Sequence, residues 1–148
     1  MPELTEGRHA GEFLVSEGNG RISRETVTVL SGQTLQPGAV LGKVTASGKH
    51  KVLAPAADDG SEVAAAILYG AVDAAGGDAE GVAILRLAEV NAAELVWPDG
   101  ISGGEQTTAL GELAALTIIA RKRRAVCRGH RQCLRSTSSR AAPSPWSR

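Results

Sequence analysis

The chain has 148 residues, with 16 Lys and Arg against 16 Asp and Glu and only four aromatic side chains. It is long enough for one domain with its own core. Its apolar runs stop short of the ~18 residues that a membrane-spanning helix needs, and Met1 to His9 lacks the regions of a signal peptide. Both cysteines, Cys127 and Cys133, lie near the C-terminus, which excludes a disulfide framework from residues 1–120 and points to cytosolic assembly.

The zero formal charge conceals a division. Residues 1–120 carry 7 Lys and Arg against all 16 acids, a net of −9, whereas residues 121–148 carry 9 Lys and Arg and no acid. Three segments follow: an arm over 1–12, a domain over 13–121, and a basic tail of low order over 122–148. Because Phe13, Tyr69 and Trp97 are the only aromatics before the tail, the core must be built from Ala, Val, Leu and Ile. Such a core is thin, and completion of apolar surface between subunits is expected.

In chain order, residues 1–12 are polar and lack periodicity, as expected of an arm that a partner orders. Phe13 to Val15 and Ile22 flank Asn19-Gly20, a pair that predicts a hairpin turn. Thr26 to Leu30 alternates as a strand, and Gln36-Pro37-Gly38 predicts a turn in which Gly supplies the left-handed position. Ala39 to Thr45 and Lys51 to Ala54 are two more short strands. Val63 to Val72 and Gly81 to Ala88 are longer apolar runs; β-branched residues and Gly70 favour strand over helix in the first. Asn91, with Glu94 three residues on, predicts a short helix that must end by Trp97, since Pro98 disfavours α geometry before it. A second helix is expected over Ser102 to Leu110, stopped at Gly111, and a strand over Leu113 to Ile119. The fold class is mainly β, a small domain of short strands with two short helices near its C-terminal end.

No catalytic or metal set emerges. His9 falls in the arm and His50 in a turn, and both read as solvated. Asp58, Asp59 and Glu62 lack the spacing of a calcium loop, and the glycine pairs lack the context of a phosphate cradle. Cys127, His130 and Cys133 lack the fourth ligand of a structural zinc site. Trp97 with Pro98 reads equally as a core filler and as an interface anchor. The tail abruptly gains Arg, Ser, Cys and Trp146, and reads first as a non-native or out-of-frame extension. The alternative is a nucleic-acid arm whose Arg121, Lys122, Arg123 and Arg124 contact phosphates.

Glu89 to Arg121 runs through Val96-Trp97-Pro98, a Gly/Ser-rich link, a small helix and an apolar closing strand. In that order it resembles the closing segment of phage head decoration proteins of the lambda protein D family. Gly11 to Glu17, Ile22 to Val29 and Leu35 to Val44 are similar to the opening of the same family, so about 120 of the 148 residues are covered. The resemblance implies a β-clip-like domain without enzymatic activity or cofactor. It implies a homotrimer on the outer surface of the expanded virion head, assembled in the host cytoplasm and bound to the major capsid protein at threefold and quasi-threefold sites. Leu4, Phe13, Leu14 and Val15 are the expected capsid-facing residues. An enzyme is the weakest reading, because no base, nucleophile and metal assemble from residues 1–120.

Overall fold

The computed structural model describes residues 6–19 and 22–122. Its strands are β1 (Leu14–Glu17), β2 (Arg24–Val29), β3 (Thr34–Leu35), β4 (Val40–Lys43), β5 (His50–Val52), β6 (Ala64–Leu68), β7 (Val72–Asp73), β8 (Ala79–Ile84), β9 (Ala88–Asn91) and β10 (Ile118–Arg121). One helix, α1 (Gly103–Ala115), precedes β10. The mainly β class read from the sequence is therefore the observed one.

Five strands close a barrel in the order β2-β5-β4-β6-β8. Its longest seam is the antiparallel pairing of β2 with β8, from Arg24↔Ile84 to Val29↔Ala79. Its shortest is the parallel contact of β2 with β5, the single register pair Val29↔His50. A three-stranded sheet, β1-β9-β10, lies beside the barrel, with β1 antiparallel and β10 parallel to the central β9. β3 and β7 form a small two-stranded sheet.

Two apolar clusters fill the domain. One joins Phe13, Val40, Leu53, Ile67, Ile84, Val90, Leu113 and Ile118, and so binds α1 and the three-stranded sheet to the barrel wall. The other lies among Val27, Val29, Leu35, Leu41, Ala66, Leu68 and Ala83. The neighbours Val40 and Leu41 belong to different clusters, and each is completely buried. Successive side chains of a strand point to opposite faces, so this wall is dry on both sides. That is why Ala64 to Leu68, inside the first apolar run, has no polar residue.

Turn chemistry follows the sequence at Gln36-Pro37-Gly38, where Ala39 N–H donates to the Gln36 carbonyl at 3.2 Å and Gly38 has φ +85. A Cβ on Gly38 would also come within 2.9 Å of the Glu94 carbonyl oxygen. Four expectations are corrected. β1 does not pair with β2 in a hairpin; it pairs with β9, because Leu14 and Val90 together cover the first cluster. No helix spans Asn91 to Trp97. Asn91 closes β9, donates its N–H to the Phe13 carbonyl at 2.7 Å, and turns the chain by accepting from Ala93 and Glu94 N–H groups. An Asn at i with Glu at i+3 suits such a turn as well as a helix start. The observed helix passes through Gly111 to Ala115, so the expected closing strand begins only at Ile118. Finally, His50 is not a solvated turn residue: it begins β5 and is 6% exposed.

Gly42 sits where β4 crosses the Ser61 backbone so closely that any Cβ would collide with it. Gly42→Ala is expected to lower unfolding free energy by about 1–3 kcal/mol or more. Gly76→Ala, which meets nothing, should stay within about 0.5 kcal/mol of the parent. Urea denaturation followed by far-UV circular dichroism separates the two outcomes.

Candidate functional site

The N-terminal segment enters the domain through three fixed points. Gly11 N–H donates to the Tyr69 carbonyl at 3.1 Å, with Gly11 at φ +76. The Arg8 guanidinium donates to the Glu94 carbonyl at 2.7 Å. Phe13 then plunges into the first cluster and is 2% exposed. The chain emerges into β1, an outer strand of its sheet, so one row of β1 backbone groups has no strand beside it among the described residues.

The expected capsid-facing residues are thus dispersed. Leu4 lies outside the described residues. Phe13 is a core residue, 2% exposed. Leu14 is half-buried against the same cluster. Val15 is 57% exposed, at the bulge where β1 shifts register against β9.

Beside Val15 the outer face of the sheet is polar and interlocked. Glu89, on the central strand, accepts from Ser16 Oγ at 3.2 Å and from the Arg121 guanidinium. Arg121 holds the Glu89 carboxyl below the usual carboxylate range, chiefly by hydrogen bonding. A shallow cleft of about 430 Å³ runs past this network, lined by Glu12, Leu14, Val15, Asn91, Arg121 and Lys122. Of the phosphate-contact candidates, Arg121 is committed to Glu89, Lys122 borders the cleft, and Arg123 and Arg124 lie outside the described residues.

At the other end of β1, Glu17 and Arg24 make two hydrogen bonds, at 2.7 and 2.8 Å. The Arg24 guanidinium also lies 4.0 Å from the centre of the Tyr69 ring. Hydrogen bonding to Arg24 lowers the Glu17 pKa, and the reciprocal bond raises that of Arg24. This pair ties β1 to β2 in place of the expected hairpin, and the sequence offered only two opposite charges seven residues apart as a signal.

Trp97 and Pro98 are half-buried, and Trp97 packs on the first cluster beside Ile101 and Leu110. Val96 reaches across to the barrel, where its N–H donates to the Gly38 carbonyl at 2.9 Å. Ser102 and Glu105 form a reciprocal cap at the start of α1. Asp59 is occupied with Lys51 and the Ser61 N–H, and Glu62 accepts from Gly60 N–H, so both carboxylates serve their own turn.

A family model described as bacteriophage lambda head decoration protein D matches residues 3–118. The chain belongs to the lambda protein D family of phage head decoration proteins. The match runs from the arm through the barrel to the start of β10, and it makes this a structural component of the phage capsid. No curated protein matches the chain. The family match stops before the basic tail, which lies almost wholly outside the described residues.

Two outcomes test this geometry. Phe13→Ala should cost about 3–5 kcal/mol of stability, whereas Val15→Ala should stay within about 0.5 kcal/mol, both by urea denaturation. The Glu17 carboxyl has a lowered pKa, so its stabilising effect is present above the unfolded-state pKa and disappears as pH falls through the folded-state value. Glu17→Gln should therefore be less stable than the parent at pH 7 and converge with it in acid, as thermal melts across pH would show.

Proposed function

We propose that the protein binds the outside of the expanded head as a homotrimer at threefold and quasi-threefold sites, contacting the major capsid protein. There it holds the shell against the outward pressure of packaged DNA. The observation that carries this reading is the family match over residues 3–118. A trimer that joins neighbouring capsomers through contacts offered only by the expanded shell stabilises that state by preferential binding. Assembly in the host cytoplasm follows from the same reading.

The arm is the proposed capsid-facing element, and the fold supports a particular division of labour within it. Phe13, Gly11 and Arg8 root the segment in the domain, so the residues before Arg8, Leu4 among them, are the proposed portion that reaches a neighbour. Val15 and the outer edge of β1 supply an adjoining apolar and hydrogen-bonding surface. An extended segment that adds to a sheet edge satisfies its backbone groups there. Three arms on one trimer then engage with avidity, because the second and third bind at high effective concentration.

Light scattering of the full chain should give three times the 15.2 kDa chain mass. Co-sedimentation with expanded, undecorated heads should saturate at three copies per threefold site. Deleting residues 1–7 should abolish pelleting while leaving the solution mass trimeric. Undiminished pelleting of that variant would remove the arm from the mechanism, and no pelleting of the full chain would sink the decoration reading.

A further inference from the structure

The barrel is closed at its weakest seam by a buried histidine. β5 meets β2 through the single pair Val29↔His50, and the accompanying backbone bond runs from Leu30 N–H to the His50 carbonyl at 2.8 Å. Every other seam of the barrel has at least two register pairs. His50 at this joint is 6% exposed, and its Nδ1 has no hydrogen-bond partner among the described residues.

An orphaned, buried Nδ1 is tolerable while it is an unprotonated acceptor. Protonation turns it into an N–H donor with no acceptor among the described residues and puts a full charge where solvent is largely excluded, which is far more costly. The surroundings do not relieve that cost. Lys43 lies directly opposite on β4, in register with His50, and adds a like charge. Glu25 on β2 pulls the other way, but its carboxylate is already paired with Arg86. On the same stretch as His50, Lys49 is paired with Asp78 and Lys51 with Asp59.

We propose that His50 is an acid-sensitive latch on the barrel, and that its protonation parts β5 from β2 while the remaining seams stay closed. Burial, and secondarily Lys43, hold its pKa below the ordinary histidine value. A histidine with a depressed folded-state pKa favours folding in its neutral form. The latch is therefore fully closed above about pH 6.5 and loosens as pH falls towards the folded-state value.

The test is native-state hydrogen exchange of the full chain between pH 7.5 and 5, corrected for intrinsic exchange rates. The opening equilibrium of the Leu30 amide should rise by up to about tenfold per pH unit below about pH 6.5, the slope of one proton. The Leu68 amide, which donates to the Ala39 carbonyl away from the seam, should not follow. In His50→Gln the Leu30 dependence should vanish. A flat Leu30 profile in the parent chain, or an equal slope in His50→Gln, would overturn the latch. Should His50→Gln fail to fold, an NMR titration of the His50 ring in the parent chain decides. A pKa well below 6.5 supports the latch, and one at or above that value rejects it.

Discussion

The wall formed by β4, β6 and the Ala83–Ile84 end of β8 must be dry on both faces, and the rest of the architecture follows from that. Val40 and Ile67 face the cluster that holds Phe13, Leu113 and Ile118, while Leu41, Ala66 and Leu68 face the barrel interior. The barrel side is satisfied by small and aliphatic residues, because five strands enclose less space than the eight that side chains comfortably fill. The outer side needs a cover, and α1 and the β1-β9-β10 sheet supply it. All three aromatics of residues 1–120 lie in or against this outer cluster, with Phe13 completely enclosed and Tyr69 and Trp97 packed at its margin. A composition nearly devoid of aromatics is thus what a narrow barrel with one covered flank requires.

Much of this was legible in the sequence because it rests on local chemistry. The Pro37-Gly38 turn, the strand around Thr26 to Leu30 and the helix opened by Ser102 all depend on residues within a few positions of one another. What the sequence hid depends on partners far along the chain. The helix expected at Asn91 fails because Val96, far along the chain from its partners, is held extended beside Ala39, donating to the Gly38 carbonyl and accepting from Val40 N–H. The Asn19-Gly20 hairpin fails because the first strand finds a better apolar match in Val90 than in β2. Gly111 did not stop the helix, since Leu113 on the following turn is wholly buried and extends the apolar face. His50 looked solvated because nothing in its immediate neighbours, Lys49 and Lys51, signals the interior; only its register against Lys43 and Val29 does.

The candidate site shows the same divide. The sequence located the region, the entry of the arm into the first strand, but could not sort its residues by role. Phe13 and Val15 are two positions apart and equally apolar, yet one anchors the segment in the core and the other faces outwards. The bulge between Leu14 and Ser16 breaks simple alternation here, and no pattern rule assigns faces across a bulge. The Glu89 network likewise brings together Ser16, Glu89 and Arg121 from three separated strands.

β9 also fixes where the polypeptide leaves the domain. β1 begins beside Val90 and β10 ends beside Asn91, on opposite flanks of the same strand. The two exits are therefore separated by two strand spacings, about 10 Å. Whatever is joined after Arg121, native tail or grafted cargo, is therefore attached about 10 Å from the root of β1. A circular permutant that bridges these exits and opens the chain at the unobstructed Gly76-Gly77 turn would separate display from attachment, leaving both outer strands of the sheet on their shared neighbour.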